Sequence, residues 1–156
     1  MASTSSRGSE VLLSVVSSPF VKSVSIFAGD KAFLTQYYKE TKSVYSAVVE
    51  KGRETRIDDE ELLRASRILV RLMAMVGKAV KSRYYSFTGT LVLGDELVFR
   101  PYVSPTSTAR VRIRGHDILV DAGEALRKKI KTKTDIEAAV RRILELLRDE
   151  TRLDDR

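Results

Sequence analysis

Apolar residues recur at helical spacing in the middle of the chain and again near its end. At about 100° per residue, those in residues 58–83 fall on one broad face, which predicts a long amphipathic helix. Asp58 begins a capping-box pattern at the start of this segment. Thr134 begins another such pattern, and a second amphipathic helix is predicted over residues 134–150.

The first third of the chain is also predicted to be helical, over residues 9–27 and 30–51. Pro19 should break the first of these segments, because proline has no N–H group to donate within a helix. Asp30 is suited to cap the second segment, and Gly52 is suited to end it. The aromatic residues of this second segment are expected in the core.

The pattern changes to a period of two after the long central helix. Four short strands are predicted, over residues 86–93, 96–102, 109–114 and 117–121. Gly94-Asp95 joins the first two strands and Gly115-His116 joins the last two, both at hairpin length. These segments therefore predict a small antiparallel sheet made of two hairpins.

Together these elements predict an α+β fold, a helical bundle with a small antiparallel β-sheet inserted before the C-terminal helices. Within the last helices, residues 122–130 are predicted to form a short one. No internal repeat is visible in the sequence. The predicted division is a disordered N-terminus (1–8), a helical domain (9–83 and 122–150), a small β domain (84–121) and a frayed tail (151–156).

Composition narrows the class of protein. The chain has no cysteine, which excludes disulfides, cysteine-based zinc sites, iron–sulfur clusters and thiol nucleophiles. It has no asparagine and one glutamine, while 31% of its residues are charged, a composition typical of hyperthermophiles. The expected source is a thermophilic archaeon or bacterium, or a virus that infects one. No signal peptide and no apolar run of membrane-spanning length are found, so a cytoplasmic location is expected.

The positive charge is concentrated in one segment. The net charge is +7, and residues 100–133 contain nine basic and three acidic residues, a net charge of +6. Alternate residues of a strand lie about 6–7 Å apart, close to the phosphate spacing of an extended nucleic-acid strand. The nucleic-acid-binding residues predicted from this charge are Arg100, Arg110, Arg112, Arg114, Arg127, Lys128, Lys129, Lys131 and Lys133.

A second basic face is predicted on the long central helix, from Arg64, Arg67, Arg71, Lys78 and Lys81. Both sets have a structural explanation, since arginines on thermophile surfaces join ion-pair networks and a charged helix face is usually solvated. Tyr84, Tyr85, Phe87 and Tyr102 lie near the main basic segment and are candidates for stacking on bases. No recognition-helix or zinc-finger motif occurs, so contacts to the phosphate backbone are expected.

Catalysis is not expected. His116 stands beside Asp117 in a predicted turn, but no cysteine or activated serine accompanies the pair. The acidic residues 58–61 begin a helix, where acids are favoured by the helix dipole. No glycine-rich phosphate loop or dinucleotide fingerprint is present, and no cofactor or metal is predicted.

The chain resembles the archaeal small subunit of the subtype I-A CRISPR interference (Cascade-type) complex. The resemblance rests on its length, the order helix–β–helix over residues 9–150, the Tyr84-Tyr85 junction and the basic segment 100–133. It implies a non-enzymatic antiviral-defence subunit that contacts its own copies, other subunits and the crRNA-bound backbone. It also implies a role in holding target DNA, especially single strands opened in the R-loop.

Three other functions remain open at this stage. The chain has the properties of a genome-coating or other structural protein of a hyperthermophilic archaeal virus. It also has those of a protein–protein adaptor whose surface charge serves thermostability. The third is an enzyme built around His116 and Asp117. No membrane partner is expected.

Overall fold

The computed structural model describes residues 10–80, 86–102, 109–123 and 126–148. Their helices are α1 (Glu60–Ala79) and α2 (Ile136–Arg148). Their strands are β1 (Glu10–Ser17), β2 (Val21–Ala28), β3 (Lys31–Tyr38), β4 (Ser43–Glu50), β5 (Arg53–Arg56), β6 (Phe87–Leu93), β7 (Leu97–Pro101), β8 (Arg110–Arg114), β9 (Asp117–Asp121) and β10 (Arg127–Lys131).

All ten strands join one antiparallel sheet in the order β10-β9-β8-β7-β6-β1-β2-β3-β4-β5. Each half of the sheet is a five-stranded meander, and the two meanders meet where β1 pairs with β6. Both helices lie on the same side of the sheet, because α1 and α2 contact each other and share one core with the buried side chains of β1, β2 and β6–β8. The other side, which no described helix covers, is named the open face here.

The two halves repeat one architecture, five strands followed by a helix. Asp59 and Asp135 cap α1 and α2 in the same way, each accepting a hydrogen bond from the backbone N–H three residues later. These two caps are 76 positions apart, and so are Leu13 and Gly89, which face each other across the β1–β6 pair. The halves are therefore related by an approximate two-fold rotation centred near that pair.

The predicted helical bundle is wrong, and the protein is mostly sheet. Residues 9–27 and 30–51, predicted as helices, form β1–β2 and β3–β4. In β1, Val11, Leu13 and Val15 are buried and alternate with residues on the open face, which is a strand period. That period was hidden because the open face is itself partly apolar, so both faces supply hydrophobic residues.

The expected helix caps and stops in this region are turns between strands. Gly29 and Asp30 connect β2 to β3, and Gly29 has a φ of 65°. Lys51 and Gly52 connect β4 to β5, both with positive φ (51° and 78°), as a type I′ hairpin turn requires. Glycine before or after an apolar run is common to helix ends and hairpins, so it did not distinguish them.

The prediction for residues 122–130 is also wrong, because the chain forms strand β10 from Arg127 onward. The four strands of the predicted hairpins are present as β6–β9, and both amphipathic helices are present with shorter bounds. The caps are Asp59 and Asp135, each one residue after the predicted cap. The predictions for residues 1–8 and 151–156 lie outside the described residues.

Gly89 allows β6 and β7 to approach closely at the centre of the sheet. A Cβ atom at this position would lie 2.5 Å from the carbonyl oxygen of Arg100 and 2.6 Å from the ring of Phe99. Backbone atoms cannot move aside as a flexible side chain can, so even alanine would force the strands apart. Gly94, in the β6–β7 turn, has no atom closer than 3.9 Å to such a Cβ.

Gly89→Ala is therefore expected to lower the free energy of unfolding by about 1–3 kcal/mol. Gly94→Ala is the matched control and should change it by less than about 0.5 kcal/mol. Chemical denaturation monitored by circular dichroism measures both. Equal stability of the two variants would show that the close approach at Gly89 does not constrain the sheet.

Candidate nucleic-acid interface

The open face exposes large apolar and aromatic side chains. Leu12 (45% exposed), Val16, Phe27 (44% exposed), Tyr38 and Tyr102 (62% exposed) all lie on this face by strand register. Exposed apolar side chains scattered singly are normal on a protein surface, whereas a group on one sheet face is typical of a binding surface. The group lies on β1, β2, β3 and the end of β7.

One cross-strand row on this face joins the apolar group to the arginines. Register places Phe27 opposite Leu12, Leu12 opposite Thr90, and Thr90 opposite Arg100. The next position of β8 in the same direction is Arg110, one residue beyond the Phe99–Val111 pair. We name these five residues the arginine–aromatic row. At the usual strand spacing it extends about 19 Å across the sheet.

The cationic end of the row forms no ion pair within the described part of the chain, although Asp121, which pairs with Arg127, stands directly opposite Arg110 on β9. Neither Arg100 nor Arg110 makes an ion pair with a residue that the structure describes, and both are exposed. The hydroxyl of Tyr102 lies 2.5 Å from the Thr90 hydroxyl, so its ring is held beside the row. The row therefore combines two guanidinium groups with the ring of Phe27, and the ring of Tyr102 lies beside it.

Arg112 and Arg114, by contrast, are held by one carboxylate. Glu96 accepts hydrogen bonds from Arg112 at 2.7 Å and from Arg114 at 2.8 Å. The hydrogen bond from Arg112 is the largest cause that lowers the pKa of Glu96 below its ordinary value, and the charges of both arginines add to it. The predicted basic row of β8 is therefore divided, since Arg110 is available while its two neighbours share Glu96.

The remaining predicted basic residues lie around the edge strand β10. Arg127 pairs with Asp121 at 3.6 Å, and register puts it on the open face with Lys129 and Lys131. Lys128 is exposed on the opposite side, because its partner in the pair is the buried Val120. Lys133 is exposed in the loop after β10. The structure thus brings most, but not all, of the predicted residues to one face.

The second basic face does not join the open face, because α1 packs on the other side of the sheet. Arg64, Arg71 and Lys78 are exposed there, and the Arg67 guanidinium lies over the ring of Tyr37 at 5.3 Å from its centroid. Of the aromatic candidates, Phe87 is buried against Phe99, so it packs in the core. Lys81, Tyr84 and Tyr85 lie outside the described residues.

Of the groups considered for catalysis, His116 and Asp59 have structural contacts, whereas one carboxylate oxygen of Asp117 is buried without a hydrogen-bond partner among the described residues. His116 is exposed, and its Nδ1 lies 2.9 Å from the carbonyl oxygen of Thr132. The carboxylate of Asp59 caps α1 and pairs with Arg142 of α2; the bond from the Leu62 N–H is the largest cause lowering its pKa. The described residues contain no group of three or more acidic or histidine side chains able to hold a metal ion.

Sequence reasoning missed the apolar half of this surface. Leu12 and Phe27 were assigned to a helix, and Tyr38 was expected in the core. The available signal was the abundance of β-branched residues in residues 9–27, which favours strands over helices. No helix among the described residues is both long and apolar enough to cross a membrane.

Comparison with known proteins gives no further guide to function. No protein-family model matches the chain. No curated protein sequence and no solved structure matches it either.

Glu96→Gln should strengthen the binding of an anionic strand to the open face, because it frees the guanidinium groups of Arg112 and Arg114. Each phosphate gained should steepen the dependence of log K on log salt by about 0.7 for a single strand. Fluorescence anisotropy with labelled oligo-dT measures both. Asp95→Asn, in the adjacent turn, removes the same charge without an ion pair among the described residues and is the control.

Acidification should also strengthen the binding of an anionic strand to the wild-type protein, because protonated Glu96 releases Arg112 and Arg114. The folded-state pKa of Glu96 is lowered, so the carboxylate keeps both arginines down to a pH below 4.5 and releases them only as the pH falls through that lowered value. Oligo-dT affinity should therefore rise below that pKa in the wild type, and it should rise less in Glu96→Gln. An equal rise in both proteins would assign the effect to other carboxylates.

Proposed function

We propose that the protein is a non-catalytic binding protein for single-stranded nucleic acid, and that the open face of its sheet is the binding surface. The arginine–aromatic row carries this proposal. It offers two guanidinium groups that make no ion pair with a described carboxylate and, beyond Thr90, an exposed leucine and an exposed phenylalanine. Guanidinium groups bind phosphates, and exposed rings such as that of Phe27 stack on the bases of an unpaired strand.

A single strand fits this surface better than a duplex. The bases of a duplex are stacked and paired, so the faces of Phe27 and Tyr102 have nothing to stack against. A single strand presents both its phosphates and its base faces, and stacking accepts every base. Binding should therefore depend little on sequence. The row runs across the strands of the sheet, so the bound nucleic-acid strand should lie across them as well.

Membership of a CRISPR interference complex stays a prediction. The resemblance assumed a helical domain with a small β insert, whereas the described elements form two sheet-and-helix halves. The proposal is accordingly limited to nucleic-acid binding, without naming an assembly. A preference for single strands would favour a subunit that holds opened strands over a protein that coats a duplex genome.

A protein-binding role is the second candidate, favoured by a specific feature of the same face. Leu12 and Val16 are aliphatic and exposed, and aliphatic side chains add little to base stacking. They suit a contact with another protein or a second copy of the chain. Light scattering of the purified protein, compared with Val16→Thr, tests this: a dimer that dissociates on substitution supports it.

The main test is binding to labelled oligo-dT, oligo-U and duplex DNA over a salt series. Arg100→Ala and Arg110→Ala should each weaken single-strand binding and reduce the salt slope by about 0.7, the value for one lost phosphate contact. Phe27→Leu keeps an apolar side chain but removes the ring, so it should weaken binding about tenfold with an unchanged slope.

Arg53→Ala is the matched control, because Arg53 is exposed on the edge strand β5 and its register places it opposite Glu50 on the helix side. It should bind as the wild type does. Equal weakening by Arg53→Ala and Arg100→Ala would show that net charge alone is responsible. Duplex binding as tight as single-strand binding would contradict the proposed use of base stacking.

A further inference from the structure

A second group of cations lies on the helix side of the sheet, around Tyr37. Lys22 is directly opposite Tyr37 on the neighbouring strand, and the Arg67 guanidinium lies 5.3 Å from the centre of the Tyr37 ring. Lys39 follows two residues after Tyr37, and Arg71 lies one helical turn beyond Arg67. We name Lys22, Lys39, Arg67 and Arg71, with Tyr37, the Tyr37 cluster.

The charges of this cluster repel one another. Burial lowers the pKa of Lys22 below its ordinary value, and the positive charges of Lys39 and Arg71 lower it further. Tyr37 raises the pKa of Lys22, and no described carboxylate contributes to the shift. Glu40, the acid next to Lys39 in the chain, makes no ion pair with any described residue.

One donor of the cluster is enclosed without an acceptor. The Nε of Arg67 is buried and has no hydrogen-bond partner among the described residues. Burying a charged donor without an acceptor is costly, and proteins normally supply one or bind it from solution. The charge of the Arg67 guanidinium therefore adds to the repulsion within the cluster, and an anionic ligand bound by the exposed Lys39 and Arg71 would relieve it.

An exposed aromatic ring lies beside the cluster, at the same end of strands β2 and β3. Phe20, in the turn between β1 and β2, is 74% exposed. Its carbonyl oxygen accepts a hydrogen bond from the Lys39 N–H at 3.0 Å, which ties this turn to the end of β3. A base attached to a phosphate held by the cluster would find this ring beside it.

We propose that the Tyr37 cluster is a phosphate-binding site for a phosphomonoester, either the terminal phosphate of a nucleic-acid strand or that of a nucleotide. A phosphomonoester carries a charge of about −1.5 to −2 near pH 7 and three acceptor oxygens. An internal phosphodiester carries a single negative charge, so it offsets less of the repulsion. The site is separate from the open face and does not depend on the function proposed for that face.

The binding of inorganic phosphate to the full chain tests this by titration calorimetry at constant ionic strength. Wild type should give saturable heat, while Lys22→Gln and Arg71→Gln should bind about tenfold more weakly, since each removes a charged donor. Arg53→Gln removes the same charge far from the cluster and should bind as the wild type does. Absence of saturable heat in the wild type, or equal binding by Lys22→Gln, would overturn the proposal.

A second readout separates a binding site from an ordinary charged surface. Without phosphate and at low salt, Lys22→Gln should unfold at a higher temperature than the wild type, because it removes repulsion. With phosphate present, the difference in melting temperature between the two proteins should shrink or reverse, since ligand binding stabilises the wild type more than the variant. An unchanged difference in melting temperature across phosphate concentrations would count against the site.

Oligo-dT with a 5′-phosphate, a 3′-phosphate or neither, together with a mononucleotide, identifies the source of the phosphate. If one terminal phosphate raises the affinity for oligo-dT and Lys22→Gln abolishes that increase, the site binds that end of the strand. Tight mononucleotide binding without such a gain assigns it to free nucleotides. Arg100→Ala should keep every phosphate effect, so failure of the open-face proposal and failure of this one are distinguishable.

Discussion

The pairing of β1 with β6 is the contact on which the rest of the structure depends. It joins two meanders, each of which would otherwise end in an unpaired edge, into a single ten-stranded sheet. Gly89 stands at the middle of this junction, opposite Leu13, and its missing side chain leaves room for Phe99 and the backbone of β7. One continuous sheet lets both helices pack on one side and leaves the other side open.

The open face owes its character to the difference between the two halves. The first half supplies most of its exposed apolar side chains, and the second supplies the arginines and Tyr102. The β1–β6 junction brings the two kinds of side chain into one row, with Thr90 between Leu12 and Arg100. Glu96 then restricts how many arginines are available, because its carboxylate holds Arg112 and Arg114 together. The positive charge that this face presents is therefore set by one acidic residue as well as by the basic ones.

The two proposed sites lie on opposite sides of one sheet and at opposite ends of β2, the row at Phe27 and the cluster at Lys22. Tyr38 points to the open face and its neighbour Tyr37 to the helix side, because successive residues of a strand alternate. Two basic residues of the face that the sequence predicted on α1, Arg67 and Arg71, thus lie beside the strand residues Lys22 and Tyr37.

The sequence by itself determined the two amphipathic helices, the hairpins of the second half and the location of most net charge. Each of these depends on spacing within a short segment, such as the helical period of residues 60–79 or the alternation of Val111 and Ile113 with arginines. Tertiary structure alone decided that residues 10–50 are strands, because their open face is apolar enough to hide the period of two. It also decided which arginines are available and which are paired. Glu96 and Arg112 are 16 residues apart, and Leu13 and Gly89 are 76 apart, so local spacing carries no information about either contact.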